Sequence, residues 1–143
     1  MQARYLVDVR QPAPFLRRIM RELACDARMS LEGSLGEASF PAEAVLGRDA
    51  SDILKRGTTA PVLDFVVLRL QPELVDRIFS QISRIGLRED IVHVQIEKNG
   101  RVELAAYDSF HTQCVVTGPA VPSEVLADLQ AAGVIRGFVS TGH

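Results

Sequence analysis

The stretch Ile91-Val92-His93-Val94-Gln95-Ile96-Glu97-Lys98-Asn99-Gly100-Arg101-Val102-Glu103-Leu104-Ala105-Ala106-Tyr107-Asp108 decides the fold. Apolar and polar residues alternate on both sides of Asn99-Gly100, the period of strands that bury one face. A two-residue Asn99-Gly100 loop would set Ile96 against Glu103 and Glu97 against Val102, mixing apolar and charged side chains on both faces. A three-residue loop, Lys98-Asn99-Gly100 with Gly100 as a left-handed bulge, pairs Ile96 with Val102, Val94 with Leu104 and Val92 with Ala106. The second register is therefore expected. It leaves His93, Gln95, Glu97, Arg101, Glu103 and Tyr107 on a polar face.

Upstream of this hairpin, Pro72 opens a helix whose stripe is Leu74, Ile78, Ile82 and Ile85, and Gly86 stops it. Before it, Val62 to Leu70 is too continuously apolar for a sheet with one wet face and is expected to be a central strand covered on both sides. The chain starts with a half-buried strand around Tyr5, Val7 and Val9. A helix follows from Pro12 and Pro14, with Phe15, Leu16, Ile19, Met20 and Leu23 inward, and then a strand through Met29 and Leu31. From Gly33 to Ala60 the periodicity fades into an irregular excursion, with a helical turn expected at Ala50 to Leu54, capped by Ser51 or Asp49. Downstream, Gln113 to Thr117 reads as a strand, Pro122 to Ala132 as a helix and Ile135 to Ser140 as a last strand.

The expectation is one α+β domain over residues 1–143 with a mixed or antiparallel sheet and three packed helices, in the order β-α-β-β-α-β-β-β-α-β. Its first six elements have the order of a ferredoxin-like sandwich. The 143 residues are 47% hydrophobic and 24% charged, ordinary for a globular chain. A formal charge of −2 argues against nucleic acid, although Arg17, Arg18 and Arg21 form a row on the first helix with Arg10 and Arg28 nearby. These strands also lack the exposed ring motif of an RNA-binding sheet. No apolar run has the length of a membrane helix, so no membrane association is expected. The first residues, Met1 to Asp8, lack the features of a secretory signal, which predicts a cytoplasmic protein. Cys25 and Cys114 lie far apart with no paired spacing and are expected to be reduced thiols.

Chemistry concentrates in Tyr107-Asp108-Ser109-Phe110-His111-Thr112-Gln113-Cys114. Asp108, His111 and Cys114 recur every third residue, and carboxylate, imidazole and thiolate are all metal ligands. The segment lacks the Cys or His pairs of a structural site, so the bland alternative is a turn with an exposed His111 and a small buried Cys114. A nucleophilic arrangement would set Cys114 beside His111 or His93, with Asp108 orienting the imidazole. No glycine loop for nucleotides and no serine elbow is present. Two functions are therefore weighed. The first is a non-catalytic protein-binding or regulatory module without cofactor, docking a protein or a second copy of itself on the polar hairpin face and the excursion. The second is a small metal-dependent or thiol hydrolase using His93, Asp108, His111 and Cys114.

Overall fold

Alternating residues become eight strands in one antiparallel sheet, and the amphipathic stripes become three α-helices, an α+β architecture. The computed structural model describes residues 4–141 apart from Glu37 and Arg48; Met1, Gln2 and Ala3 of the leader reading lie outside the described residues. In chain order the elements are β1 (Tyr5–Val9), α1 (Pro12–Leu23), β2 (Ala27–Gly33), β3 (Val45–Leu46), β4 (Asp64–Leu70), a 3-10 turn (Pro72–Leu74) and α2 (Val75–Ile85). They continue with β5 (Ile91–Lys98), β6 (Arg101–Ala106), β7 (Val115–Thr117), α3 (Ser123–Ala131) and β8 (Ile135–Ser140). The two-residue β3 is the one addition to the expected order. No helix among the described residues is long and apolar enough to cross a membrane.

The strands lie in the order β3-β4-β2-β5-β6-β7-β1-β8. This overturns the ferredoxin-like arrangement for the first part: β1 pairs with β7 and β8, and three strands separate it from β2. The later strands offer β1 antiparallel partners on both sides, so both its ladders are filled far from β2. β4 is also not central. It lies second from an edge, beside the short β3, and is apolar because both its faces are covered. Leu68 and Leu70 join the main core, while Phe65 and Val67 pack with Leu54 and Leu46 on the opposite face.

The main core fills the helix side of the sheet. Phe15, Ile19 and Leu23 of α1, Ile78 and Ile82 of α2, and Leu126 of α3 meet Val7, Met29, Leu31, Val94, Ile96 and Leu104. Burial of each large side chain there contributes about 1.5–3 kcal/mol. Cations secure the helices. Lys98 donates to the Leu23 and Cys25 carbonyls, both at 3.0 Å, at the end of α1, where a positive charge complements the helix dipole. The arginine row is occupied by ion pairs: Arg17 and Arg21 reach Asp76 of α2 at 2.9 and 3.4 Å, and Arg18 reaches Glu22 at 2.8 Å.

The hairpin register differs from the expected one. Lys98 faces Arg101 and Glu97 faces Val102, so the loop is Asn99-Gly100. Both residues are left-handed, with φ of 55° and 79°, as a type I′ turn requires. The register then shifts between Ile96 and Glu97, leaving Glu103 as an extra residue, and beyond it Ile96 faces Leu104 and Val94 faces Ala106. A bulge thus restores the apolar pairing that a plain two-residue loop would forbid.

The 33–60 excursion divides: its first part stays with the helices, where the Ser39 N–H donates to Gln81 of α2 at 2.9 Å and Glu43 pairs with Arg77 at 3.0 Å, and from β3 onward it folds as a strap across the outer sheet face, the one away from the helices. Ala50 to Leu54 forms no helix; the Ser51 hydroxyl accepts the Ile53 and Leu54 N–H groups at 3.1 and 3.0 Å. Ser51 also donates to Glu97, which Arg28 approaches at 3.5 Å, and Arg28 donates in turn to the Ala50 carbonyl. Further along, Glu32 accepts the N–H groups of Gly57 and Thr58 at 2.7 and 3.1 Å. The polar hairpin face is therefore only partly open: His93, Glu97 and Glu103 are buried, as is Glu32 beside them on β2, while Gln95, Arg101 and Tyr107 are half-buried. Replacing Glu32 by Ala orphans two backbone donors, so unfolding in urea should show a loss of about 1–3 kcal/mol. Hydrogen exchange at the Gly57 and Thr58 amides should accelerate at the same time; unchanged protection there would mean that the carboxylate does not hold the strap.

Candidate functional site

Where the strap meets β5 and β6 it leaves an open cleft of about 550 Å³. Lys55, Arg56 and Gly57 form its lip, and His93, Gln95, Tyr107, Asp108 and Cys114 line the rest. Three of the four residues singled out for catalysis, His93, Asp108 and Cys114, thus share one cavity.

The turn after β6 sets their positions. Asp108, Ser109 and Phe110 are consecutive left-handed residues, with φ of 50°, 55° and 64°. Such a conformation costs roughly 1–2 kcal/mol per residue. It is held by the Ser109 N–H donating to the Val92 carbonyl at 2.8 Å and by the Ser109 hydroxyl on the Ile91 carbonyl at 3.3 Å. Phe110 is buried and meets Phe15 of α1 edge to face, with centroids 6.3 Å apart. The turn closes with the Tyr107 N–H donating to the Cys114 carbonyl at 2.9 Å.

His93 ties this turn to the strap. Its Nδ1 accepts the Asp108 N–H at 3.3 Å, and Nε2 lies 3.0 Å from Thr58 Oγ1. A backbone amide only donates, so Nδ1 is the acceptor and the ring hydrogen sits on Nε2, directed at the Thr58 oxygen. The ring edge packs on Tyr107 with centroids 5.2 Å apart. Gly57 eases this approach, because a Cβ there would crowd the ring at 3.0 Å from Cδ2 and 3.2 Å from Nε2 of His93.

Cys114 is half-buried, with Sγ 3.6 Å from Asp108 Oδ2, toward which it donates. Burial, and then the adjacent Asp108 carboxylate, push its thiol above the ordinary range. His111 is exposed and outside the cleft; its Nδ1 faces the Gln113 N–H at 3.4 Å and its own N–H bonds the Asp108 carbonyl at 3.2 Å. The spacing by threes therefore does not bring Asp108, His111 and Cys114 together, because the turn directs His111 outward. No group of three or more His, Cys, Asp or Glu side chains among the described residues is placed to hold a metal.

The polar hairpin residues divide. Gln95 and Tyr107 line the cleft, with Gln95 Nε2 donating to the Tyr107 hydroxyl and Ser30 Oγ donating to Gln95 Oε1 at 3.4 Å. Glu97 is covered by Ser51. Glu103, turned by the bulge, accepts the Ala120 N–H at 3.0 Å and lies 3.5 Å from Arg101. Gly118 makes room for it, since a Cβ there would fall 2.2 Å from Glu103 Oε1. Sequence reasoning missed Lys55, Gly57 and Thr58, which reach the site through tertiary docking. Leu54, a large apolar residue without periodic neighbours, was the signal that this loop covers something. Comparison with protein-family models, with curated proteins and with solved structures gives no match for this chain.

The Cys114 environment has a measurable consequence. In a Cys25→Ser background, alkylation of Cys114 by iodoacetamide should be slow at pH 7 and rise only above the pH at which a free cysteine reacts. Asp108→Asn should bring that rise to lower pH, because it removes the charge that opposes the thiolate. A fast reaction at pH 7 in the unaltered turn would contradict the arrangement described.

Proposed function

We propose that the chain is a non-catalytic protein-binding module of the cytoplasm, and that its contact surface is the uncovered half of the outer sheet face. One observation carries this reading. The strap covers the outer face over β4, β2 and β5, whereas over β6, β7, β1 and β8 it leaves a row of apolar side chains, half-buried at Ala105, Val116 and Leu6 and exposed at Val139. The strand registers align Ala105 with Val116, Val116 with Leu6, and Leu6 with Val139. None of the four joins either apolar cluster, and Val139 is 61% exposed. A continuous apolar row on one sheet face suits a docking site.

Charge selects the occupant. The carboxylates bordering the row are matched, Asp8 by Arg136 at 3.1 Å and Glu103 by Arg101 at 3.5 Å. Arg4, two residues before Leu6 and so on the same face by strand alternation, makes no ion pair among the described residues. A segment of another protein, with apolar side chains for the row and a carboxylate for Arg4, complements this surface. A second copy offers no unmatched border acid for that arginine. The two free thiols support a reducing compartment.

The hydrolase reading draws on the meeting of His93, Asp108 and Cys114 in one cleft. Two features weigh against it. The only unprotonated ring nitrogen of His93 is occupied by the Asp108 N–H, so the imidazole has no lone pair for a general base. Burial and the Asp108 carboxylate disfavour the Cys114 thiolate.

A phage-displayed library of random 16-residue peptides tests the proposal. Selection on the folded protein should enrich sequences that combine apolar residues with Asp or Glu, and Val139→Glu should abolish their binding while Arg4→Glu weakens it about tenfold or more. Peptides indifferent to Val139→Glu, or no enrichment at all, would overturn it. A dimer in light scattering that Val139→Glu dissociates would do the same, by assigning the row to self-association.

A further inference from the structure

We infer that the cleft under the strap is a receptor site for a small zwitterion of the α-amino acid class, an inference independent of the protein-docking reading. It follows from which hydrogen-bonding positions the protein leaves unused. His93 has none to spare, since Nδ1 takes the Asp108 N–H and Nε2 faces Thr58. The amide of Gln95 is engaged at both ends, by Ser30 and by Tyr107. Arg56, beside Lys55 on the lip, spends its Nη1 on the Leu63 carbonyl and lies over the Phe65 ring at 5.4 Å.

Three groups remain besides the outstanding N–H groups of Arg56. The Tyr107 oxygen accepts from Gln95, which leaves its own hydrogen to donate. Lys55 makes no hydrogen bond or ion pair among the described residues and carries an exposed positive charge on the lip. Asp108 receives the Cys114 thiol on Oδ2, which leaves Oδ1 to accept. The cleft therefore has a cationic donor and a neutral donor for an anionic group, and a carboxylate oxygen for a cationic one.

A simple anion would satisfy Lys55 and Tyr107 but meet the Asp108 charge, and a simple amine would meet the reverse conflict with Lys55. A small molecule with a carboxylate and an ammonium satisfies both. The cavity, about 550 Å³, lies in the size range of small-molecule sites and leaves space for a side chain beyond those two groups. Binding there would contact the strap at Lys55 and the left-handed turn at Asp108 together, so the ligand would join the same two segments that His93 joins from below.

The experiment is an amide-resolved NMR titration of the full chain with each of the twenty L-amino acids. At least one should give saturable shifts at Gly57, Tyr107 and Asp108. Its N-acetyl derivative, lacking the ammonium, and its methyl ester, lacking the carboxylate, should each bind about tenfold or more weakly. Lys55→Met should cost a similar factor for the amino acid and much less for its ester; Asp108→Asn should do the same for the N-acetyl form. Lys55 is exposed, so Lys55→Met decides the matter alone should Asp108→Asn fail to fold. No saturable shift from any of the twenty would overturn the inference. So would equal binding of the N-acetyl derivative or of acetate, which would make this a plain anion site, or affinity that survives Lys55→Met.

Discussion

Glu32 and Glu97 impose a constraint that organises the outer half of this protein. Both are buried on a sheet face, shielded from bulk water, and a buried carboxyl group without hydrogen-bond donors is costly. The chain supplies those donors from its own irregular excursion, the Gly57 and Thr58 amides to Glu32 and the Ser51 hydroxyl to Glu97. The excursion is thus ordered by what the strands need. Leu54, seated on Phe65 and Val67, adds an apolar anchor between the two carboxylates.

The cleft is a by-product of that docking. The strap descends far enough for Gly57 to touch His93, and the turn after β6 rises from the other side, so the imidazole is gripped by both. An imidazole held at both nitrogens serves as a structural cross-link. The same hydrogen bonds that fix the site geometry remove its most obvious base, while Asp108, which might have oriented a catalytic histidine, instead faces the Cys114 sulfur. Lys55, Tyr107 and Asp108 are left to meet whatever enters.

Much of the fold was legible in local pattern. The stripes of α1 and α2 and the alternation in β1, β2 and β8 follow from periodicity and from the prolines and glycines that bound them, and their positions agree closely with expectation. The hairpin shows where pattern fails. Pairing apolar with apolar was the right criterion, but a bulge at Glu103 satisfies it with a different loop, and a bulge is set by what its side chain finds, here Gly118 and Ala120 in a distant turn. Ser30, Glu32, His93 and Glu97 alternate like solvent-facing residues, and no local rule announces that a loop will cover them. Of the candidate cluster, Asp108 and Cys114 were close enough in sequence to be suspected together. His111 is exposed, as the turn reading of this segment expected, and it leaves the candidate cluster because a left-handed turn directs its side chain outward.

The placement of β1 bears on how the protein is made. This early strand lies between β7 and β8, so neither of its ladders can form until residues 115–140 have been synthesised. β2, β4, β5 and β6, with α1 and α2, can assemble earlier on the ribosome, since β2 and β5 pair directly and the hairpin closes locally. Through that interval Val7 and Val9, fully enclosed in the finished protein, have no sheet to join. Closure between distant ends of a chain is slow and leaves apolar strands exposed meanwhile. The late arrival of β7 and β8 therefore leaves the first strand the one that waits longest for its partners in a growing chain.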